Sequence, residues 1–251
     1  SNMKRWIAML LAWSMALSLA ACTKPQEKGK ETVSEADAAQ ETTTEAEEPA
    51  AYYPVTVTDQ AGREVVIEEE PQKLVSGYYI STSLMIALEL DDKLVGIEAK
   101  ADKRPIYSLA APELLELPNV GSAKEFDLEG CAALQPDLVV LPLKLKDAAQ
   151  TLEELGIHVL LVNPEDQQQL TEMIELIAKA TNTQKRAQQL LDFTEAQQKE
   201  LETMLAGAPT PTVYLAGNSD LLSTAGNAMY QSDLIRLAGG VNAAAQLEDS
   251  Y

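Results

Sequence analysis

Between Gln167 and Leu205 the chain carries neither Gly nor Pro, and no other feature restricts its fold so strongly. A stretch this long, rich in Gln, Glu, Ala, Lys and Leu and free of turn residues, is helical. Thr181-Asn182-Thr183 divides it, with Asn182 or Thr183 expected to cap a second helix. Ala187, Leu190, Leu191, Thr194, Leu201, Met204 and Leu205 fall near one face of that second helix, and Gly207 and Pro209 end it. About 22 helical residues span roughly 33 Å, the width of a small domain. A helix of that length bridges two lobes, so folded units are expected on either side of residues 167–207.

On the N-terminal side the texture is that of a covered sheet. Val55–Thr58 and Glu64–Ile67 flank Asp59-Gln60-Ala61-Gly62-Arg63 and read as a hairpin. Strands are expected at Lys73–Ser76, Leu94–Ile97, Leu138–Leu141 and His158–Val162, with helices at Ser81–Leu90, Asp127–Leu134 and Asp147–Leu155. An irregular loop holding Pro105, Pro112 and Pro118 fills the gap after Ile97. Unbroken Val/Leu/Ile strands alternating with helices imply a largely parallel sheet covered on both faces. On the C-terminal side Thr212–Leu215 reads as a strand and Ser232–Ala238 as a helix. One strand and one helix do not make a sheet, so this second unit reads as C-terminally truncated. The fold class is α/β: two lobes with mainly parallel sheets joined by a long rigid helix. Residues 53–166 form the first lobe, 167–207 the interlobe helix and 208–251 the start of the second lobe.

Ahead of this body lies a leader. Ser1-Asn2 before Met3 look like a cloning scar. Lys4-Arg5 then precedes an apolar run, Trp6–Leu19, that is too short to span a bilayer and reads as a signal h-region. Leu19-Ala20-Ala21-Cys22 matches a bacterial lipobox, which makes Cys22 the lipidation site of a leader covering residues 1–22. The rival reading is an ordinary cleavable signal with an incidental Cys. Two acyl chains on one residue anchor stably where one does not. Residues 23–52 form an acidic, Thr- and Ala-rich tether with too little apolar surface to offset its ordering entropy. The cysteines number two, Cys22 and Cys131, so a disulfide framework is excluded and Cys131 reads as a small buried hydrophobe. The net charge of −20 argues against nucleic acid and against electrostatic attachment to anionic lipid.

Seven stretches in order resemble one family. They are Thr58–Val65, Leu94–Ile97, Val120-Gly121, Asp127-Leu128-Glu129, Leu134–Val140, Leu155–Val159 and Leu237–Asn242. Behind a lipobox and around a bridging helix, they resemble the helix-linked substrate-binding proteins of ABC importers, which handle ferric siderophores, haem and cobalamin. The resemblance implies a ligand held between two lobes with little hinge closure, and a monomer that works with a membrane permease and its ATPase. It also implies that Glu129 docks against basic permease residues. The residue's own position suggests a plainer role, an exposed first-turn glutamate stabilised by the helix dipole.

Ligands of open α/β sheets sit outside the carboxyl ends of the strands. That rule selects Tyr78, Tyr79, Ser81 and Thr82 after the first strand of the parallel sheet, and Lys100 and Arg104 after the second. Ser122 and Lys124 follow Val120-Gly121, and Lys144 and Lys146 follow Leu138–Leu141. Gly217, Asn218 and Ser219 end the strand of the second lobe, and Tyr251 falls where the resembled family often places a cleft aromatic. Five cations in these loops suit an anionic ligand, with Arg104 able to pair bidentately with carboxylate or catecholate oxygens and tyrosine rings covering a flat face. Both tryptophans, Trp6 and Trp13, lie in the leader, so an iron(III)-siderophore fits better than a corrinoid; haem and cobalamin are the alternatives. Direct metal capture wants converging His, Cys or carboxylate ligands, and the single histidine, His158, reads as a packing residue. No cofactor is expected. An enzyme is the rival class, but there is no Gly-x-Ser-x-Gly elbow, His-Glu-x-x-His or phosphate-binding Gly-rich loop. Paired carboxylates of glycosidase type stay open on spacing alone, as does a surface sensor or adhesin on the same scaffold.

Overall fold

A computed structural model describes residues 51–217 and 220–248. Cys22, the tether up to residue 50, Asn218, Ser219 and Tyr251 lie outside the described residues. Among those described, no helix is long and apolar enough to cross a membrane.

Strand β1 (Val55–Thr58) pairs antiparallel with β2 (Glu64–Ile67) in the register Val55↔Ile67. Their alternation puts Val57, Val65 and Ile67 inward. Gly62 closes the turn at φ 77°, a left-handed conformation that costs glycine nothing. Beyond the hairpin run β3 (Leu74–Ser76), β4 (Leu94–Ile97), β5 (Leu138–Pro142) and β6 (His158–Val162), all parallel in the spatial order β4-β3-β5-β6. The unbroken aliphatic runs are explained by burial on both faces. Because side chains alternate along a strand, Leu138, Val140, Leu160 and Val162 enter one core, with Met85 of α1 (Tyr79–Ala87), Leu88 just after it, and Met173 and Ile177 of α5 (Gln167–Thr181). Val139, Leu141, Val159 and Leu161 enter the other. There they meet Cys131 of α3 (Leu128–Ala133) and Ala149 and Leu152 of α4 (Lys146–Glu154).

The Asp59 turn fastens the hairpin to the sheet edge. Asp59 Oδ2 accepts from Leu161 N at 3.0 Å, and Gln60 N donates to Leu161 O at 2.9 Å. These bonds occupy part of the free edge of β6, the usual protection for an edge strand.

The stretch expected to be an irregular loop is instead mostly helical. It holds α2 (Pro105–Ala110) between single 3₁₀ turns at Ala101–Lys103 and Pro112–Glu116. Pro105 and Pro112 each stand in the first turn, where the missing N–H is no loss; the prolines start these helices and do not break them. The long helical stretch divides where expected, into α5 and α6 (Gln184–Leu205). Its capping differs from expectation. Asp166 caps α5 by accepting from Gln169 N at 2.7 Å. Asn182 ends α5 at φ 55°, and Thr183 precedes α6 without a capping hydrogen bond. The Thr183 hydroxyl instead lies 2.9 Å from Thr181 Oγ1. The apolar face expected along α6 is buried only at its start: Ala187 is 3% exposed, whereas Met204 is 73% exposed.

After α6, β7 (Thr212–Val213), α7 (Tyr230–Leu237) and β8 (Val241–Asn242) form a parallel β-α-β unit. The second strand was not anticipated, since two residues of Val-Asn carry too little pattern. Buried Asn242 ties the unit together, donating from Nδ2 to Ala225 O at 2.8 Å and to Ser232 Oγ at 3.2 Å. Asp233 of α7 accepts from Gln167 N, the first residue of α5, at 3.1 Å, where the helix dipole favours a carboxylate.

Cys131 is fully buried, and burial, helped by the nearby Asp127 charge, pushes its thiol up to about 11. Burial pushes the Tyr53 phenol up in the same way, to about 12. In both groups the folded chain holds its proton longer than the unfolded chain does. The stability they contribute is therefore complete below the ordinary ionisation range and lost as pH rises through the folded values. Thermal melts are expected to fall progressively above about pH 9. Peptide mapping is expected to find Cys131 unmodified by a thiol reagent near neutral pH until denaturant is added; labelling of the native chain would contradict its burial.

Candidate functional site

The chain passes from β3 to β4 on one side and returns to β5 on the other, so the sheet reverses its winding between β3 and β5. A crevice opens outside the carboxyl ends of strands at such a point. Gly77 sits there, its N–H donating to Val140 O at 2.9 Å. A Cβ on Gly77 would lie 2.5 Å from Leu141 Cδ2, so a larger residue here would push the Leu141 side chain aside.

Tyr78 and Tyr79 follow. Their rings meet edge to face, with centroids 5.3 Å apart. The Arg104 guanidinium, from the residue preceding α2, lies 3.8 Å from the centroid of the Tyr79 ring. Tyr79 is 40% exposed. The Arg104 Nε is buried yet has no hydrogen-bond partner among the described residues. Burial, then the neighbouring Tyr79 and Glu165, hold the Tyr78 phenol above its ordinary range. It therefore stays neutral near physiological pH and offers a hydrogen bond, not a phenolate. Helix α1 begins directly after Tyr78 with no side-chain cap and no acidic residue in its first turn. Its leading N–H groups and positive dipole end thus lie at the same edge.

Of the residues selected from sequence, Tyr78, Tyr79 and Arg104 are brought into one contact set. Ser81 is not part of the surface. It is fully buried, its Oγ 2.8 Å from Tyr78 O and 2.7 Å from Ser76 Oγ, because it lies on the inner side of α1; Thr82 is buried likewise. Lys100 is exposed, in a left-handed conformation at φ 64°. Ser122 is engaged within its own turn, Oγ accepting from Lys124 N at 3.3 Å and Glu125 N at 3.2 Å, while Lys124 is exposed. Lys144 and Lys146 are exposed in the turn after β5 and at the start of α4. Gly217 donates its N–H to Ser223 O in a tight turn of the C-terminal unit. Glu129 is exposed in the first turn of α3, beside the Asp127 cap.

The cations at this edge share one property. Arg63, Lys93, Lys103, Arg186, Lys199 and Arg236 each pair with a carboxylate. Among the described residues Lys100, Arg104, Lys124, Lys144 and Lys146 form no ion pair; elsewhere only Lys73, Lys179 and Lys185 lack one. In a chain of net charge −20, leaving five cations un-neutralised around one sheet end raises the local concentration of anions.

Sequence reasoning missed what lies behind the tyrosines. Glu98, just past β4, is 4% exposed. Its Oε2 accepts from Thr82 Oγ1 at 2.7 Å, and its Oε1 accepts from the Tyr107 hydroxyl. Tyr107 is fully buried, and burial, then the hydrogen bond to Glu98, raises its phenol. A lone acid at a strand end gives no sequence signal that it points inward.

A concavity of about 640 Å³ lies at the other end of the sheet, lined by Glu68, Glu69, Glu70, Asp137 and His158 among others. His158, expected to be a packing residue, is half-buried at the start of β6, and its Nε2 lies 3.1 Å from Glu68 Oε2. Lys73 also lines this groove, but four carboxylates outweigh it and make the amino ends of the strands a poor place for an anion. We therefore place the site at the carboxyl edge despite the smaller concavities there. Among the described residues no three side chains are grouped to hold a metal ion.

The family model for periplasmic binding proteins matches residues 74–251. The chain is 29% identical to an uncharacterised ABC transporter substrate-binding lipoprotein, YvrC of Bacillus subtilis, over 87% of this chain and 68% of that protein. It is 27% identical to the vitamin B12-binding protein of Salmonella choleraesuis over 54% of this chain and 52% of that one. The solved structure of the molybdate periplasmic binding protein MolA of Haemophilus influenzae superposes with a TM-score of 0.66 at 22% identity, covering 76% of this chain and 66% of that one. The chain thus spans between about half and two thirds of the length of these proteins.

Proposed function

The chain belongs to the periplasmic binding protein family, and from that premise we propose that it captures an anionic metal chelate, by preference a ferric siderophore, and delivers it to an ABC permease and its ATPase. The observation that carries the ligand class is the Arg104–Tyr79 pair, a stacked guanidinium whose buried Nε has no partner. A donor left buried without an acceptor costs free energy, and the guanidinium it belongs to pairs with no carboxylate, which leaves its charge available to a ligand anion. The un-neutralised Lys100, Lys124, Lys144 and Lys146 add attraction for an anion at the same edge.

In this reading Tyr78 supports the ligand without entering the metal's coordination sphere, because its phenol stays protonated. The chelator keeps its iron, and the protein grips the chelator's oxygens and ring faces. Gly217, Asn218 and Tyr251 would belong to the opposing wall, Glu129 to permease docking, and Cys22 to a lipid that holds the protein at the outer face of the membrane. The chain acts as a monomer. Haem or cobalamin is the second ligand reading, supported by the 27% identical vitamin B12-binding relative. In the first lobe the aromatic rings at the crevice are those of Tyr78 and Tyr79, with no tryptophan among residues 53–166 to cover a corrinoid face.

Equilibrium titration with ferric tricatecholate and trihydroxamate chelates, haem and cobalamin tests the proposal. Ferric chelates are expected to bind in the micromolar range or tighter, with the chelate's own charge-transfer band unshifted. Tight binding of cobalamin alone, or a new tyrosinate-to-iron band, would overturn it.

A further inference from the structure

Behind the ligand-facing pair the structure holds an unbroken run of hydroxyls. Thr82 Oγ1 lies 2.7 Å from Glu98 Oε2 and 2.7 Å from Ser76 Oγ. Ser76 Oγ in turn lies 2.7 Å from Ser81 Oγ. Ser81 Oγ and Ser76 Oγ lie 2.8 and 3.0 Å from the Tyr78 carbonyl oxygen. Ser76, Ser81, Thr82 and Glu98 are all buried. Among the described residues no cation pairs with Glu98, and its carboxylate accepts from two hydroxyls, Thr82 Oγ1 and the Tyr107 phenol.

We infer that Glu98 is the positioning residue that fixes the spacing of Tyr79 and Arg104. Each hydroxyl has a single proton to give. With Glu98 ionised, Tyr107 and Thr82 must both donate to it. Ser76 must then donate to Thr82, and Ser81 to Ser76. The carboxylate thereby orders α1 through Thr82, three residues after Tyr79, and α2 through Tyr107, three residues after Arg104. One turn of helix separates each partner from the residue it places. Glu98 is thus the joint between the two helix starts whose side chains stack at 3.8 Å. The Tyr107 hydroxyl also lies 3.4 Å from Tyr79 O, a contact its one proton does not serve while it donates to Glu98.

The same count says what a substitution does. In Glu98→Gln the carbonyl accepts from Tyr107 while the amide donates to Thr82. The hydroxyls then turn round, and the run ends with Ser81 donating to Tyr78 O. The joint survives with its polarity reversed. In Glu98→Leu the shared acceptor is gone: Thr82 turns to Ser76 Oγ, Tyr107 keeps only its long 3.4 Å contact to Tyr79 O, and nothing joins α1 to α2 through residue 98.

Amide hydrogen exchange on the full chain, without ligand, tests this. Glu98→Leu is expected to speed exchange about tenfold in residues 78–83 and 106–108, leaving β5 and β6 unchanged, and Glu98→Gln to restore most of the protection. Unchanged exchange in both segments, or a uniform rise across the sheet, would overturn the inference. Should Glu98→Leu not fold, Thr82→Val removes one link of the same run; selective loss of protection in residues 78–83 supports the joint, and none overturns it. The consequence for ligand rests on the function proposed above. Chelate affinity is expected to fall about tenfold in Glu98→Leu and to recover in Glu98→Gln. If the unmodified chain binds no chelate, the functional reading fails while the exchange result still decides the role of Glu98.

Discussion

Replacing Asp59 with alanine is expected to destabilise the folded body by about 3–5 kcal/mol, a drop in melting temperature of roughly 10 °C for a chain of this size. The Asp59 side chain has no exposure. Its Oδ1 accepts from Ala61 N and Arg63 N, both at 3.0 Å. Its Oδ2 accepts from Leu161 N at 3.0 Å and from Arg63 Nε and Nη2 at 2.9 and 2.8 Å. Truncation strands all of these donors at once, and a buried donor without an acceptor costs more than the bond was worth. Arg63 is left reaching Glu153 at 3.0 Å and Val159 O at 3.1 Å, with its main counter-charge gone.

Arg63→Ala is expected to cost less, about 1–3 kcal/mol, because the Asp59 carboxylate keeps three backbone N–H donors. The double variant is expected to fall well short of the sum, since both changes undo one junction. Chemical denaturation of the three variants decides this. A melting temperature for Asp59→Ala close to that of the parent, or an Arg63→Ala variant less stable than Asp59→Ala, would refute the account.

This junction also illustrates what the sequence made legible. The hairpin was readable because Asp, Gly and alternating valines have local meaning. That its turn seals the edge of β6 was not, because Asp59 and Leu161 lie 102 residues apart. The parallel sheet was readable because strands buried on both faces must be apolar at every position, as β5 is. The prolines misled, since the same residue that interrupts a helix is well tolerated in its first turn.

The site divides in the same manner. The carboxyl-edge rule selected Tyr78, Tyr79 and Arg104, which the fold brings into mutual contact. It wrongly included Ser81, two residues past Tyr79 and therefore rotated about 200° around α1. A loop rule cannot separate these residues, because the first turn of α1 starts sooner than its pattern suggests, at Tyr79 and not Ser81. Glu98 stayed hidden for a stricter reason. Its role exists only where β3, α1, β4 and α2 converge, and none of those elements announces the others.

Removal of the Arg104 side chain is expected to have the largest effect on binding. Arg104→Ala is expected to weaken an anionic ferric chelate by about 2–4 kcal/mol, roughly 30- to 1000-fold. The group lost is a partly buried, pre-oriented charge, held by stacking before any ligand arrives, so little ordering entropy remains to be lost on binding. Arg104→Lys keeps the charge but not the planar fork or the stacking, and is expected to recover only part of the loss. Tyr79→Phe keeps the ring under the guanidinium and is expected to cost under tenfold. Lys144→Ala and Lys146→Ala remove exposed charges and are expected to cost about 1 kcal/mol or less each, an effect that fades as salt rises. The ranking is therefore the test. Titrations in which either lysine variant binds more weakly than Arg104→Ala, or in which Arg104→Ala matches the parent, would show that the chelate is held by diffuse charge and not by the stacked arginine.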